Sequence, residues 1–252
     1  MKFEGKTVYI TETNSAMGKA IAKMFASEGA NLVLGQADDE VKTIVQEQGA
    51  KFVCVDPDLM VAASVKEMID SVGAEFGRID IFVHNNNRVV PMKVETVSHE
   101  DFRREYDYNG ASAFFAAQQI GGGMAKYGNG KIIFVSSIHA EKPTGMALAY
   151  ACAKGSLSMF VTECALQLGR RGIQTNAIEV GALKGDDEIF DTEGSVSGIY
   201  KFMKYRIPRH EEGKIEEIVP IVSFLASEDA NYINGSSIKA DGGFTFFYGF
   251  KA

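Results

Sequence analysis

Short runs rich in β-branched and apolar residues alternate along the chain with longer stretches in which apolar residues recur at helical spacing. The runs that predict strands are Lys6–Thr11, Asn31–Leu34, Phe52–Val55, Ile79–Val83, Lys131–Ser136, Ile173–Ile178 and Ser236–Ala240. The stretches that predict helices are Gly18–Ala26, an acidic segment after Leu34, Val65–Phe76, Glu100–Gln119, Tyr150–Leu168 and Ile215–Ala226. This alternation predicts an α/β protein with a doubly wound parallel sheet between two layers of helices, a three-layer α/β/α arrangement.

Length and composition agree with that fold. The 252 residues fit one large domain, and no internal repeat or linker divides them, so we expect residues 1–252 to form a single domain. With 46% hydrophobic and 23% charged residues, the chain can bury a substantial core. The net charge of −7 argues against nucleic acid or an anionic membrane as a partner.

The sequence offers no metal centre and no disulfide framework. Its three cysteines (Cys54, Cys152 and Cys164) are scattered, and we expect reduced, buried thiols. His84, His99 and His210 are scattered and lack metal-ligand spacing, so no metal is predicted. The first residues lack the apolar run of a signal peptide, and no stretch of about eighteen apolar residues occurs. We therefore expect a soluble cytoplasmic protein.

The candidate chemistry lies in Ser137, Tyr150 and Lys154. A tyrosine and a lysine four residues apart share one helical face, so the ammonium can lie beside the phenol. A nearby cation favours the phenolate, and a serine hydroxyl can bind the same acceptor oxygen, which allows the phenol to exchange a proton near neutral pH. Such pairs also occur on exposed, ion-paired helix surfaces. The surrounding sequence therefore has to show whether this pair is catalytic.

The first strand, Lys6–Thr11, is followed by a polar turn and by the helix that starts near Gly18. Strand, turn and helix in this order are the opening of a dinucleotide-binding unit of the Rossmann type. Together with Ser137, Tyr150 and Lys154, and with Asn109 in the preceding helix, nearly the whole chain resembles the short-chain dehydrogenase/reductase family. In layout it is similar to the 3-oxoacyl-(acyl carrier protein) reductase-like members.

The C-terminal part carries the same resemblance. The matching segments are Arg206–Arg209, Glu216–Ile218, Phe224–Ser227, Ile233–Gly235 and Asp241–Gly243. The resemblance implies an NAD(P)-dependent oxidoreductase that interconverts a carbonyl and an alcohol by hydride transfer. It implies that Tyr150 is the acid/base, that Ser137 binds the substrate oxygen, and that Lys154 lowers the pKa of Tyr150 and binds the nicotinamide ribose. Asn109 would hold a water molecule of a proton relay, unless it is only a polar residue packed under a loop.

The resemblance also implies a set of coenzyme contacts. They are Thr11, Asn14, Met17, Gly18, Gln36, Asp56, Asn85, Tyr150, Lys154, Gly181 and Leu183. The glycine-rich turn of the family is degenerate here, because Glu12 and Ala16 stand where the pattern has glycines. A carboxylate at Glu12 would repel the coenzyme pyrophosphate if it pointed inward.

Two further departures follow downstream. The usual Asn-Asn-Ala-Gly segment is His84-Asn85-Asn86-Asn87 here, and the threonine expected near the nicotinamide carboxamide falls at Gly185. Asn87 tolerates left-handed backbone angles better than most residues, so it can replace the glycine. Asp38–Glu40 are acidic and no basic residue lies in Glu12–Met17, which favours NAD over NADP.

Two other functions stay open. A dehalogenase-like lyase of the same fold is disfavoured, because such relatives replace the lysine by arginine and place an aromatic residue in the nucleotide turn. A non-catalytic binding or oligomerisation subunit would explain the lost glycines but not the intact Ser137, Tyr150 and Lys154.

The segment from Lys184 to Tyr205 occupies the substrate-covering region of the family. It is acidic first and apolar later, which predicts either a lid or a plain surface loop, and favours a small carbonyl or alcohol substrate over an acidic acyl carrier protein. His139 either titrates near the substrate or lies exposed. The glycines at 121–123 predict the end or a loosening of the preceding helix. The aromatic tail from Phe244 to Phe250 predicts packing on a neighbouring subunit of a homotetramer, or else on the chain's own core.

Overall fold

The computed structural model describes residues 1–184 and 205–247 of the chain. The strands within these residues are β1 (Thr7–Ile10), β2 (Asn31–Gly35), β3 (Phe52–Val55), β4 (Ile81–His84), β5 (Gly130–Ser137), β6 (Ile173–Val180) and β7 (Ser237–Ala240). The α-helices are α1 (Ala16–Ser27), α2 (Asp39–Glu47), α3 (Ala62–Phe76), α4 (His99–Tyr106), α5 (Ser112–Met124), α6 (Leu148–Gly169) and α7 (Ile215–Ala226).

All seven described strands run parallel in one sheet, in the order β3-β2-β1-β4-β5-β6-β7. The chain winds outward from β1 to β3 and then returns to continue on the other side of β1 with β4. The carboxyl ends of β1 and β4 therefore mark the point where the strand order reverses, which is where open α/β sheets bind their ligands.

Apolar side chains of the helices cover both faces of the sheet. On one face α1, α2 and α7 pack through residues such as Phe25, Val41 and Val222. On the other face α3, α5 and α6 pack through residues such as Val65 and Leu157. Because both faces of the sheet are covered, its central strands are buried along their whole length, as the continuous apolar runs in the sequence require.

The predicted helix Glu100–Gln119 is not one regular helix. It is divided into α4 and α5 by five residues of π-helix, Asp107–Ala111, which contain Asn109. The glycines at 121–123 were predicted to end or loosen this segment, and they form the last turn of α5, which ends one residue later at Met124. The close packing of α5 against α6 favours glycine at position 121, because a Cβ there would lie 2.8 Å from the Leu168 side chain of α6.

The expectation that all three cysteines are buried is also wrong, because Cys54 and Cys152 are exposed and Cys164 is buried. Cys54 lies on β3, at one edge of the sheet, where a side chain has fewer neighbours. Within residues 1–184 and 205–247, no helix has the length and apolar character that a membrane span needs.

Candidate active site

The turn after β1 and the turn after β4 are joined by side-chain hydrogen bonds. The hydroxyl of Thr11 accepts from the Asn85 N–H at 2.9 Å, and the Asn85 amide donates to the Glu12 carbonyl at 2.8 Å. The Asn85 amide also lies 3.2 Å from the hydroxyl of Ser15, which caps α1 by accepting from the Gly18 N–H. These bonds fix the two turns relative to each other at the switch point of the sheet.

Gly18 explains why one glycine of the degenerate turn remains. A Cβ at this position would lie 2.0 Å from the Glu12 carbonyl oxygen, too close for any side chain. Gly18 is therefore required for the packing of α1 against its own entry turn, whether or not a ligand binds.

Two cavities open at the carboxyl edge of the sheet. The larger, about 380 Å³, is lined among others by Thr11, Gln36, Asp56, Asn86 and Tyr108. The smaller, about 170 Å³, adjoins the catalytic candidates, and its lining includes Ser15, Met17, Asn87, Ser137, His139, Tyr150, Gly181 and Leu183. Of the predicted coenzyme contacts, Asn14 is exposed on the turn, whereas Gly18, Asn85 and Lys154 are buried among protein atoms behind the cavities.

Lys154 is fully buried next to Tyr150. Its Nζ donates to the carbonyl oxygens of Asn86, at 2.8 Å, and Val135, at 3.1 Å, and it lies 5.4 Å from the centre of the Tyr150 ring. Burial lowers the pKa of Lys154 to about 7, while the Glu12 carboxylate acts in the opposite direction. The ammonium thus lies beside the phenol, as the four-residue spacing predicts.

The hydroxyls of Tyr150 and Ser137 have protein partners in this structure. Tyr150 donates to the side-chain oxygen of Asn87 at 2.7 Å, and the Ser137 hydroxyl lies 3.1 Å from Nδ1 of His139. The His139 ring meets the edge of the Tyr150 ring at 5.4 Å between centroids. Burial lowers the pKa of His139 to about 4, so its imidazole is neutral at pH 7. His139 is half-buried beside the Ser137 hydroxyl and the Tyr150 ring rather than exposed on the surface.

Asn109 is fully buried in the π-helical turn. Its amide donates to the carbonyls of Arg88, at 2.8 Å, and Glu105, at 2.9 Å, and its oxygen accepts from the Arg88 N–H at 2.8 Å. These three bonds hold the segment that follows β4. The geometry agrees with the interpretation of Asn109 as a polar residue packed under a loop, and its role in a proton relay stays a prediction.

Two residues that the sequence analysis did not single out line the larger cavity. Arg88 and Arg104 line it, and both bind the buried carboxylate of Glu105. The Arg88 guanidinium also lies 4.1 Å from the centre of the Tyr108 ring, and the Tyr108 hydroxyl reaches Gln36 at 3.3 Å. The position of Arg88 directly after the altered His84–Asn87 segment was a clue in the sequence. Nothing in the sequence indicated that its side chain points into the cavity.

The chemistry of the two cavities suits a dinucleotide. The buried side-chain oxygen of Asn86 has no hydrogen-bond partner among the described residues, and Asn86 lines the larger cavity. A ligand that donates a hydrogen bond at this edge would satisfy it. The N-terminus of α1, at Ser15, Ala16 and Met17, borders the smaller cavity, a position that favours negative charge. In the part of the chain that the structure describes, no group of three His, Cys, Asp or Glu side chains could hold a metal ion.

Comparison with known proteins assigns the chain to a family. The family model described as enoyl-(acyl carrier protein) reductase matches residues 12–245. Glucose 1-dehydrogenase 2 of Bacillus subtilis is 31% identical over 251 residues, covering 96% of each chain. The chain belongs to the short-chain dehydrogenase/reductase family. The 3-oxoacyl-(acyl-carrier-protein) reductase of Escherichia coli is another relative, 29% identical over 96% of this chain and 98% of its own.

Solved structures of the family have the same fold. An NAD⁺-bound xylitol dehydrogenase superposes with a TM-score of 0.89 at 25% identity, covering 96% of this chain and all of its own. Levodione reductase superposes with a TM-score of 0.88 at 27% identity, covering 98% of this chain and all of its own. The predicted Rossmann-type fold and the predicted class, an NAD(P)-dependent short-chain dehydrogenase/reductase, are thereby confirmed.

Proposed function

We propose that this short-chain dehydrogenase/reductase interconverts a small carbonyl compound and its alcohol, with Tyr150 as the acid/base. One observation carries the proposal. Tyr150 and Ser137 line the same small cavity, and the ammonium of the fully buried Lys154 lies 5.4 Å from the centre of the phenol ring. The single domain of residues 1–252 would supply every group that this chemistry needs.

Each side chain has a distinct task in the direction of reduction. Ser137 donates a hydrogen bond to the carbonyl oxygen of the substrate, which orients it and stabilises developing negative charge. Tyr150 transfers its hydroxyl proton to the same oxygen. Lys154, in its charged form, stabilises the phenolate that remains. In the direction of oxidation the phenolate takes the proton back from the alcohol.

The coenzyme would occupy both cavities. Thr11, Gln36 and Asp56 would hold its adenosine end, and Met17, Gly181 and Leu183 its nicotinamide end, with Asn14, Gly18 and Asn85 shaping the turns between them. When bound, the nicotinamide ring supplies or accepts the hydride, which no side chain can do. We propose NAD as the preferred form, because Arg88 and Arg104 are both engaged by Glu105 and the residues after β2 are acidic.

The smaller cavity suits a small substrate. Its walls combine apolar residues such as Val89, Ala182 and Ile215 with the polar groups of Ser137 and His139. The relatives named above act, by their names, on compounds as different as glucose, xylitol and 3-oxoacyl-(acyl-carrier-protein). The segment 185–204, predicted to cover the substrate, lies outside the described residues.

Direct binding and turnover test the proposal. Calorimetric titration with NADH and NADPH should show binding below millimolar concentration, and a panel of ketones, sugars and alcohols should then give a coenzyme-dependent change in absorbance. Tyr150→Phe should bind NADH as the natural protein does and lower kcat by roughly 10²- to 10⁴-fold. If the natural protein binds neither coenzyme, the non-catalytic subunit becomes the better interpretation. If Tyr150→Phe turns over normally, the acid/base assignment is wrong.

We also propose that the protein is a cytoplasmic homotetramer. Phe114 and Phe115 of α5 and Met159 and Leu166 of α6 are exposed by 36 to 62% of their surface. Phe246 in the tail is likewise 65% exposed, whereas Phe244 packs against Ile138 and Ala182 of its own chain. The described part of the tail thus agrees in part with each alternative, and residues 248–250 lie outside the described residues. Apolar surface of this extent on two adjacent helices is typical of a contact between subunits.

A further inference from the structure

Two positions at which this chain lacks the family's glycines face each other across the switch point. The Glu12 carboxylate accepts a hydrogen bond from the backbone N–H of Asn87 at 2.8 Å. Glu12 belongs to the turn after β1, and Asn87 to the turn after β4. The contact needs the side chain of Glu12 but only the backbone of residue 87, and we call it the Glu12–Asn87 bridge.

The bridge lies between the residues that line the two cavities. Thr11 and Asn86, each preceding one member of the bridge, line the larger cavity, while Ser15 and Asn87 line the smaller one. A dinucleotide that fills both cavities has its diphosphate in the middle, next to the N-terminus of α1. The diphosphate and the bridge therefore compete for the same part of the cleft.

The charge of the Glu12 carboxylate reaches the surrounding groups. It helps to raise the pKa of the Tyr108 hydroxyl, behind burial as the larger cause, and it opposes the burial that lowers the pKa of Lys154. The bridge is also one hydrogen bond away from the catalytic tyrosine, because Asn87 accepts from the Tyr150 hydroxyl at 2.7 Å. A substitution at Glu12 can thus affect both the binding of the coenzyme and the hydrogen bonding of the proton donor, Tyr150.

We propose that Glu12 is an affinity-determining residue, whose carboxylate must leave the Asn87 N–H before the coenzyme diphosphate can bind. The inference rests on the proposed function, and it adds that this chain binds its coenzyme more weakly than its own cleft would allow. The penalty has two parts. One is electrostatic repulsion between the carboxylate and the diphosphate, and the other is the loss of the hydrogen bond in the bridge.

Two variants separate the two parts. Glu12→Gln keeps an oxygen that can accept from the Asn87 N–H but removes the charge, whereas Glu12→Gly removes both. Calorimetry should show NADH and ADP-ribose binding about tenfold or more tightly to Glu12→Gly than to the natural protein, with Glu12→Gln in between. Adenosine, which lacks the diphosphate, should bind all three proteins equally. Glu67→Gln, an exposed acid of α3, is the matched control and should change nothing.

The outcomes distinguish this inference from the proposed function. If the natural protein binds NADH and Glu12→Gly binds it equally or more weakly, Glu12 does not oppose the coenzyme and the inference is wrong while the function stands. If only the Glu12 variants bind NADH, the inference holds and the function of the natural chain has to be revised. If no variant binds, both are wrong. Hydrogen exchange gives a check without ligand, because the Asn87 amide should exchange faster in Glu12→Gly, and an unchanged rate would contradict the bridge.

Discussion

The hydroxyl of Tyr150 donates a hydrogen bond to the side-chain oxygen of Asn87, over 2.7 Å. In the proposed reaction this hydroxyl must face the oxygen of the substrate. The protein thus supplies its own acceptor at the reactive atom, from a position where the family pattern has glycine and no side chain. A substrate has to displace that acceptor, and this costs about as much as one neutral hydrogen bond, roughly 1 kcal/mol.

Removing the acceptor should improve substrate binding. In Asn87→Ala the backbone N–H that binds Glu12 remains, but the side-chain oxygen is lost, so we expect KM for the substrate to fall about fivefold. Steady-state kinetics at saturating coenzyme measures this change. Substrate affinity measured by calorimetry in the Tyr150→Phe background provides the control, because without the phenol hydroxyl the substitution should have no such effect. A raised KM would mean that Asn87 contacts the substrate instead of competing with it.

A pair of glycine variants tests the packing of the first turn. Gly18→Ala places a methyl group 2.0 Å from the Glu12 carbonyl, so the turn must shift, and we expect the free energy of unfolding to fall by about 2 kcal/mol or more. Gly122→Ala, in α5, meets no atom within 4 Å and should instead raise stability by about 0.5 to 1 kcal/mol. Urea denaturation of both variants provides the comparison. Equal effects would show that the tight approach at Gly18 does not constrain the fold.

The buried ammonium of Lys154 predicts a specific dependence of stability on pH. The unfolded chain keeps this proton up to a pKa near 10.5, whereas burial lowers the pKa in the folded protein to about 7. The unfolded state therefore binds more protons between these values, and stability rises with pH in that window by at most about 1.4 kcal/mol per unit. Below about pH 6 the lysine is protonated in both states and contributes no slope.

Lys154→Met removes this titration. We expect the difference in free energy of unfolding between the natural protein and Lys154→Met to shift in favour of the natural protein from pH 7 to pH 9.5, and to be flat from pH 5 to pH 6. Urea denaturation at a series of pH values measures it. A difference that is independent of pH throughout would show that Lys154 is not titrated in this window.

The sequence predicted the sheet, its order of elements and the family because those depend on patterns that persist over many residues. The sequence placed Tyr150 and Lys154 together through their spacing on one helix, and added Ser137 through the family resemblance. The catalytic roles of the three residues stay predictions. The hydrogen bond from Tyr150 to Asn87 was not predicted. Asn87 and Glu12 meet only because the turns after β1 and β4 are adjacent in space, and side-chain direction in such turns is not encoded by any period. The π-helical turn at Asn109 was not predicted either.

Subunit assembly can be tested on α5. Phe114 is 36% exposed and contacts both Phe115 and Phe160, forming an aromatic surface that spans α5 and α6. A carboxylate in the middle of this surface would lose its water on assembly without gaining a partner. If the protein is the proposed tetramer, we expect Phe114→Asp to form only dimers or monomers in light scattering. Tyr232→Asp, at a fully exposed tyrosine that belongs to neither helix, should leave the mass unchanged. A chain cut after Gly243 examines the tail separately, and if it remains tetrameric while Phe114→Asp dissociates, the contact lies on the helices. If the natural protein has the mass of one chain, and Phe114→Asp and the chain cut after Gly243 keep that mass, the exposed aromatic surface is not a contact between subunits.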